Sequence, residues 1–442
     1  MPVGYSLGKS QNRKMATLYA MLDVNKIRAE FPSLARELNG APLVYFDAPG
    51  GTQVTRRCIE RIVDYFQRCN ANTHGAFITA HESDAIIDEA HEAGADFLNA
   101  KRGDEIVFGQ NMTSLAFALS RSIGQTLREG DEIILTKLDH DANYSPWHLM
   151  AQERGVKINV VDINEADCTL QLDDFEKYLS RRTKLVCVGL VSNAVGTLNP
   201  VKQIIGMAHA AGALTFIDAV AGAPHVPIDV QDLDTDLLAC SPYKFWGAHQ
   251  GMLYGKYALL DKLPAYKVRP ADNVPPHKFQ TGTQSFENQN GLIGVMEYLE
   301  WFAENAPTHG SAPVNANAPM RSVRANRIHA AMQASQTYEQ ELGKYLIENV
   351  LKIPEVQFFG IRDLNRMDQR VPTIAIRYKD EDPADTAKRL GEQGICVWNG
   401  NYYAINLTER LGVEERGGMV RIGLSHYSTV EEIDRLLVAL EG

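Results

Sequence analysis

Asp218 closes the apolar run 214–217, and Lys244 follows in the turn Ser241-Pro242-Tyr243-Lys244-Phe245-Trp246-Gly247. A carboxylate at the C-terminal end of a buried parallel strand lies where α/β folds bind ligands. A lysine among apolar neighbours favours the neutral, nucleophilic amine, because burial penalises the ammonium. Pyridoxal 5'-phosphate chemistry needs this pair. The amine condenses with the aldehyde, and the acid keeps the pyridine nitrogen protonated so that electrons can flow into the ring. By itself Lys244 would read as a surface lysine; the turn around it reverses that.

Two further places hold candidate chemistry. Asn111-Met112-Thr113-Ser114 directly precedes a helical pattern, so free backbone N–H groups, the helix dipole and the Thr113 hydroxyl can meet an anion such as a phosphate. A simple N-cap by Thr113 would satisfy the same residues. Arg421, in the strand-like run 420–423, carries a fork that matches a carboxylate bidentately, with a surface salt bridge as the alternative.

The elements that must position these groups alternate. Helical patterns at 83–100 and 113–127 frame a short strand at 105–108, and strands follow at 132–135, 157–161, 184–191 and 214–217. Val201, Ile204, Ile205 and Ala208 mark one helix face. Strands joined by helical crossovers run parallel, which predicts an α/β fold: a mostly parallel central sheet with helices on both faces. The segment 306–319 (APTHGSAPVNANAP) has neither period and reads as a linker. Beyond it come a long helix at 323–351, a strand at 373–377, a helix at 383–393 and strands at 395–398 and 420–423. A last helix is opened by a Ser428/Glu431 capping box. The expected division is an N-terminal segment 1–40 joining a small α+β C-terminal domain at 321–442, a large domain at 41–305, and a linker at 306–320.

With 442 residues, 45% hydrophobic and 22% charged, the chain can bury a large core. A net charge of -11 offers no footprint for a polyanion, so nucleic-acid partners are not expected. No apolar run is long enough to cross a membrane, and the polar stretch 1–14 lacks the core of a secretory signal, which makes a cytoplasmic protein the expectation. The six cysteines (58, 69, 168, 187, 240 and 396) show no CxxC pair and no zinc spacing; they read as structural thiols, and no metal is expected.

From about residue 43 onward the chain resembles the class V aminotransferase family, cysteine desulfurase-like branch. The motifs that carry the resemblance are Tyr45-Phe46-Asp47-Ala48-Pro49-Gly50-Gly51, Leu138-Asp139-His140-Asp141-Ala142-Asn143, the stretch 192–200 (SNAVGTLNP) and the lysine turn. The resemblance implies a fold-type I pyridoxal 5'-phosphate-dependent transferase. Lys244 then corresponds to the Schiff-base lysine, Asp218 to the partner of the pyridine nitrogen, and His140 to the imidazole stacked on the ring. Asn193 corresponds to the donor to the ring hydroxyl. For His140 a buried structural histidine stays open as the alternative. Asn111, Met112, Thr113 and Ser241 would cradle the phosphate, and Thr283 would reach the phosphate of a neighbouring subunit, making a homodimer. Arg421, Asn193 and Tyr403 would lie on the substrate side.

Two departures bear on function. Tyr403 stands where desulfurases of this branch carry the cysteine that accepts substrate sulfur, and a phenol forms no persulfide. Ala221 replaces a hydrogen-bonding side chain after Asp218, leaving room beside the cofactor. The leading expectation is therefore an enzyme acting on an amino acid through an external aldimine and a Cα carbanion, with lyase, epimerase, decarboxylating or C–C bond-forming outcomes. A cysteine desulfurase using another thiol, and a silent binding protein of the same fold, are the alternatives.

Overall fold

Strands that must bury both faces read as continuous apolar runs, and the chain has several. The computed structural model describes residues 22–305, 320–378 and 380–441; all of the expected linker except Met320 lies outside them. The larger sheet contains β1 (Ile106–Gly109), β2 (Glu132–Thr136), β3 (Lys157–Val161), β4 (Thr183–Gly189), β5 (Leu214–Asp218), β6 (Leu237–Cys240) and β7 (Gly251–Gly255). The strand order is β1-β7-β6-β5-β4-β2-β3. All pairings are parallel except those of β7, which runs antiparallel to β6 and β1. The fold is the α/β architecture expected, with a mostly parallel sheet.

Side chains alternate between two cores. Val186 and Val188 of β4 point to one and Leu185 and Cys187 to the other; β5 and β6 divide in the same way, with Ile217 and Leu238 opposite Phe216 and Leu237. Helices Ile78–Leu98, Val201–Ala211 and Phe286–Asn305 pack on the first face, and Met112–Gly124 and Ser145–Arg154 on the second. Parallel order has one consequence for chemistry: β2, β4, β5 and β6 all end at the same edge, so the loops that follow them converge there.

A second sheet contains β8 (Val356–Phe359), β9 (Thr373–Tyr378), β10 (Trp398–Gly400) and β11 (Met419–Gly423), antiparallel in the order β8-β9-β11-β10. The helices Val323–Val350, Pro383–Glu392 and Val430–Glu441 accompany it. Residues 22–45 run against these elements. Arg28 pairs with Glu432 at 3.0 Å, Phe31 packs on Tyr427 with ring centroids 4.9 Å apart, and Val44–Tyr45 pairs with Ile395–Cys396.

Two sequence expectations need correction. The single strand at 395–398 is two: Ile395–Cys396 pairs in parallel with Val44–Tyr45, and after Val397 the chain changes partner and Trp398–Gly400 joins β11. The last helix is capped one residue later than expected. Thr429 Oγ1 accepts from the Glu432 amide at 3.3 Å, and a Glu432 carboxylate oxygen accepts from the Thr429 amide at 2.9 Å. Burial of Val430, Ile433, Leu436 and Leu440 sets that register, and the Ser428 carbonyl is engaged by the Tyr338 hydroxyl instead.

Gly196, in the loop after β4, has φ of +76°, and a Cβ there would lie 2.3 Å from the Thr373 carbonyl oxygen of β9. Gly196→Ala is expected to destabilise the cofactor-free protein by about 2–4 kcal/mol, measured by urea unfolding, since both a strained backbone and a backbone clash result. A loss below about 0.5 kcal/mol would show that β9 draws back freely.

Candidate active site

Each loop leaving the shared edge delivers one candidate. His140 lies four residues beyond the end of β2, Asn193 four beyond β4; Asp218 ends β5, and Ser241 follows β6 at once. Lys244 is held by the tight turn Pro242–Lys244, in which the Lys244 and Phe245 amides donate to the Ser241 and Pro242 carbonyls at 2.9 Å. Phe245 and Trp246 are fully buried and pin the turn: Phe245 stacks on Phe97 at 4.5 Å, and the Trp246 indole donates to Ser425 at 3.2 Å. At the same edge, Gly251 of β7 passes so close to Asn111 that a Cβ would come within 2.5 Å of its carbonyl carbon.

These loops enclose a cavity of about 620 Å³. Asn111, Met112, Thr113, His140, Asn193, Asp218, Ser241, Lys244, Tyr403 and Arg421 all line it, together with Ala221. Thr283 does not: it is exposed, and its neighbours Thr281 and Gly282 border a different depression beside Tyr266 and Lys267.

The electrostatics follow from exclusion of water. Burial, reinforced by the Arg421 charge and opposed by Asp218, lowers Lys244 to about 7, and its amine donates to the Pro49 carbonyl. Burial raises Asp218 to about 6, although its Oδ1 accepts from the Val220 amide at 2.9 Å. His140 falls to about 4, through burial first and then the charges of Lys244 and Arg421. Its Nδ1 accepts from the Ala142 amide at 3.0 Å, and its ring stacks on Tyr403 at 5.4 Å and 19°. Arg421 is lowered to about 10 by burial; it donates to the Asn193 carbonyl at 2.8 Å and lies 4.4 Å over the Tyr402 ring, and among the described residues its Nε has no partner. The surface salt bridge considered for Arg421 is not what the structure holds.

Asn111, not Thr113, caps the helix Met112–Gly124: its Oδ1 accepts from the Ser114 amide at 2.9 Å and completes a capping box. An amide side chain at the N-cap position leaves the Thr113 hydroxyl exposed toward the cavity. Among the described residues the Met112 and Thr113 amides donate to no protein acceptor.

Sequence reasoning passed over several lining residues. Asp139, inside a motif already singled out, accepts from Thr136 at 2.6 Å and Asn143 at 3.2 Å, and burial raises it to about 7. Trp398, Asn399 and Asn401 come from the segment read for its missing thiol, and Pro49 and Gly50 from the first motif. Glu414 had no signal, being one of two adjacent acids in a loop.

The family model described as aminotransferase class-V matches residues 44–318 and 308–436. The chain belongs to the class-V aminotransferase family. Within it, a protein named cysteine desulfurase from Pectobacterium atrosepticum is 31% identical over 95% of this chain and 97% of its own. A probable cysteine desulfurase from Streptomyces coelicolor is 30% identical over 97% and 98%. Among solved structures, a cysteine desulfurase from Thermococcus onnurineus superposes with a TM-score of 0.80 over 94% of this chain and 97% of its own, at 24% identity. One from Escherichia coli gives 0.78 over 95% and 97%, at 25%. Membership makes this class-V chain a fold-type I enzyme whose cofactor is pyridoxal 5'-phosphate. The residues present fit that group: a partly buried amine, a buried carboxylate across the cavity and, among the described residues, no carboxylate in contact with that amine, unpartnered amides at a helix start and an unpartnered buried Oδ1 on Asn193.

A lysine lowered to about 7 is mostly protonated below that pH, and the protonated amine cannot attack an aldehyde. Uptake of pyridoxal 5'-phosphate by cofactor-free enzyme should therefore rise about tenfold per pH unit below 7 and level off above it, followed by stopped-flow absorbance. A flat profile from pH 5.5 to 9 would be inconsistent with this lowered lysine.

Proposed function

We propose that this enzyme takes an α-amino acid into the cavity by its carboxylate and works on bonds at the α- and β-carbons. The observation that carries the reading is the meeting on one cavity of three groups: the partly buried Lys244 amine, the buried Asp218 carboxylate and the buried Arg421 guanidinium. When bound, pyridoxal 5'-phosphate draws electrons from the substrate's α-carbon into its ring.

The chain's own residues then divide the work. Lys244 holds the cofactor and carries a proton at Nζ near the α-carbon, and its lowered pKa suits one group to both tasks near neutrality. Asp218 keeps an acid at the ring nitrogen. His140, with Nδ1 already engaged by Ala142, offers a ring face, and Asn193 has one amide N–H beyond the one given to the Tyr402 carbonyl at 2.8 Å. Met112 and Thr113 amides, with Asn111 and the Thr113 and Ser241 hydroxyls, receive the phosphate. Arg421 receives the substrate carboxylate beside Asn193 and Tyr403. Thr283, exposed within one chain, serves the phosphate of a second copy in a homodimer. The large unit 41–305 supplies the cofactor side and 321–442, with 1–40, the carboxylate side. Among the described residues no helix is long and apolar enough to cross a membrane, and we place the enzyme in the cytoplasm.

Which bond breaks has two readings. The names of the relatives favour removal of sulfur from cysteine over epimerisation, decarboxylation, other lyase chemistry or C–C bond formation. The cavity favours a reaction without a sulfur acceptor on the protein, since none of its lining residues is a cysteine and Tyr403 reaches into it. Cys240 is fully buried with its thiol pushed far up by burial, and Cys396 is half-buried and likewise raised by burial first. Both lack the lowered pKa that sulfur transfer needs.

Lys244→Ala is expected to fold yet lose the visible absorbance and the borohydride-stable cofactor attachment. Retention of either would remove Lys244 from the assignment. Arg421→Ala should weaken amino-acid binding by about 2–4 kcal/mol and Arg421→Lys less, because the fork is lost with the charge kept; an unchanged titration would return Arg421 to a structural role. With L-cysteine and a reductant, wild type should form alanine and sulfide only slowly. Rapid, equal formation of both that Cys240→Ser or Cys396→Ser abolishes would establish the desulfurase reading.

A further inference from the structure

We infer that the substrate's side chain carries a cation, received by Glu414 at the outer wall of the cavity; this rests on the amino-acid reading above. Beyond Arg421 the wall is built by Trp398, Asn399, Asn401, Tyr403 and Glu414. Glu414 is held by neutral donors alone. Its Oε1 accepts from Asn401 Nδ2 at 2.9 Å and its Oε2 from the Thr408 hydroxyl. No lysine, arginine or histidine among the described residues pairs with it. The two other carboxylates on the cavity, Asp139 and Asp218, lie at the cofactor edge, and Asp139 is already satisfied by Thr136 and Asn143. The cavity therefore presents a guanidinium suited to one end of an amino acid and an unneutralised carboxylate for the other.

Two aromatic faces stand at the same mouth. Trp398 is 51% and Tyr403 69% exposed, unusual for large aromatic side chains in one wall. The Trp398 indole lies against Gly50, where a Cβ would sit 2.2 Å from its Nε1, so the bare backbone of Gly50 lets the ring approach. Tyr403 is kept in place by its stack on His140 and by its carbonyl, which accepts from the Asp141 amide at 2.7 Å. The Asn401 side chain ties the two features together: its Oδ1 accepts from the Tyr403 amide at 3.0 Å while its Nδ2 donates to Glu414. Aromatic faces beside a carboxylate select an ammonium or guanidinium over a neutral group of equal size.

The test is an absorbance titration of cofactor-loaded enzyme, with calorimetry as an independent reading of binding. L-lysine, L-ornithine and L-arginine are compared with L-norleucine, L-norvaline, L-citrulline, L-alanine and L-cysteine. Each cationic amino acid is expected to bind at least about tenfold more tightly than its neutral counterpart, with a preference that shrinks as salt is raised. Glu414→Gln, whose carbonyl still accepts from Asn401 and whose NH2 can donate to the Thr408 hydroxyl, should bring the pair to within about threefold. Equal binding of cationic and neutral partners in wild type, or a salt-insensitive preference, overturns the inference even if the variant fails to fold; so does a preference that survives Glu414→Gln. If alanine or cysteine binds as tightly as lysine, only this inference falls. If no amino acid perturbs the cofactor, the amino-acid reading falls with it.

Discussion

Keeping the Lys244 amine out of water is the constraint on which the cavity depends. A solvated lysine would hold its proton far above neutral pH; burial brings this one to about 7. Such burial requires walls. The turn that carries Lys244 is clamped by the fully buried Phe245 and Trp246, and Pro49, from a different part of the chain, supplies a carbonyl to the amine. Asp218 opposes the shift from across the cavity without contacting Nζ, so it stabilises the ammonium only in part. Two parallel strands ending at one edge make that separation possible, because β5 and β6 deliver their loops side by side.

A second constraint is the placement of Arg421, which belongs to a different sheet from the one whose loop carries Lys244. Their relative position is held by bonds to backbone carbonyls. Arg421 donates to Asn193, Asn193 donates to Tyr402, and the Asp141 amide donates to Tyr403. Arg370, fully buried, adds bonds to the Thr373, Val195 and Ile361 carbonyls and draws the loop after β4 onto the second sheet. Bonds of this kind contribute about 1 kcal/mol each and fix geometry more than they add stability. Among the described residues no carboxylate is in ion-pair contact with the guanidinium of Arg421, Asp47 acting on it only from further away, which suits it to take one from a ligand.

Much of the fold was legible because burial on two faces leaves a plain signature. The middles of β2, β4 and β5 (133–135, 185–188 and 216–217) are apolar on both faces, and helices with one apolar face separate them. Misreadings occurred where a different contact set the register. The 395–398 run looks like one strand, but its halves pair with partners more than a hundred residues apart in the chain, and only folding brings those together. At the last helix Ser428 and Thr429 are equivalent cap residues by type; the buried stripe from Val430 to Leu440 chose between them.

By itself the sequence determined the mostly parallel sheet, the strand that ends on Asp218, the turn that presents Lys244 and the family to which both belong. Those depend on residues close together in the chain, whose pattern survives without knowledge of the rest. Tertiary structure alone decided which side chains share the cavity. Asp139 was visible but carried no sign of lining the cavity with Asp218, Glu414 looked like a solvated acid, and Thr283 proved to lie outside the cavity of its own chain. A charge is given its partner, or left without one, by whatever the fold places against it, and neither composition nor spacing records that.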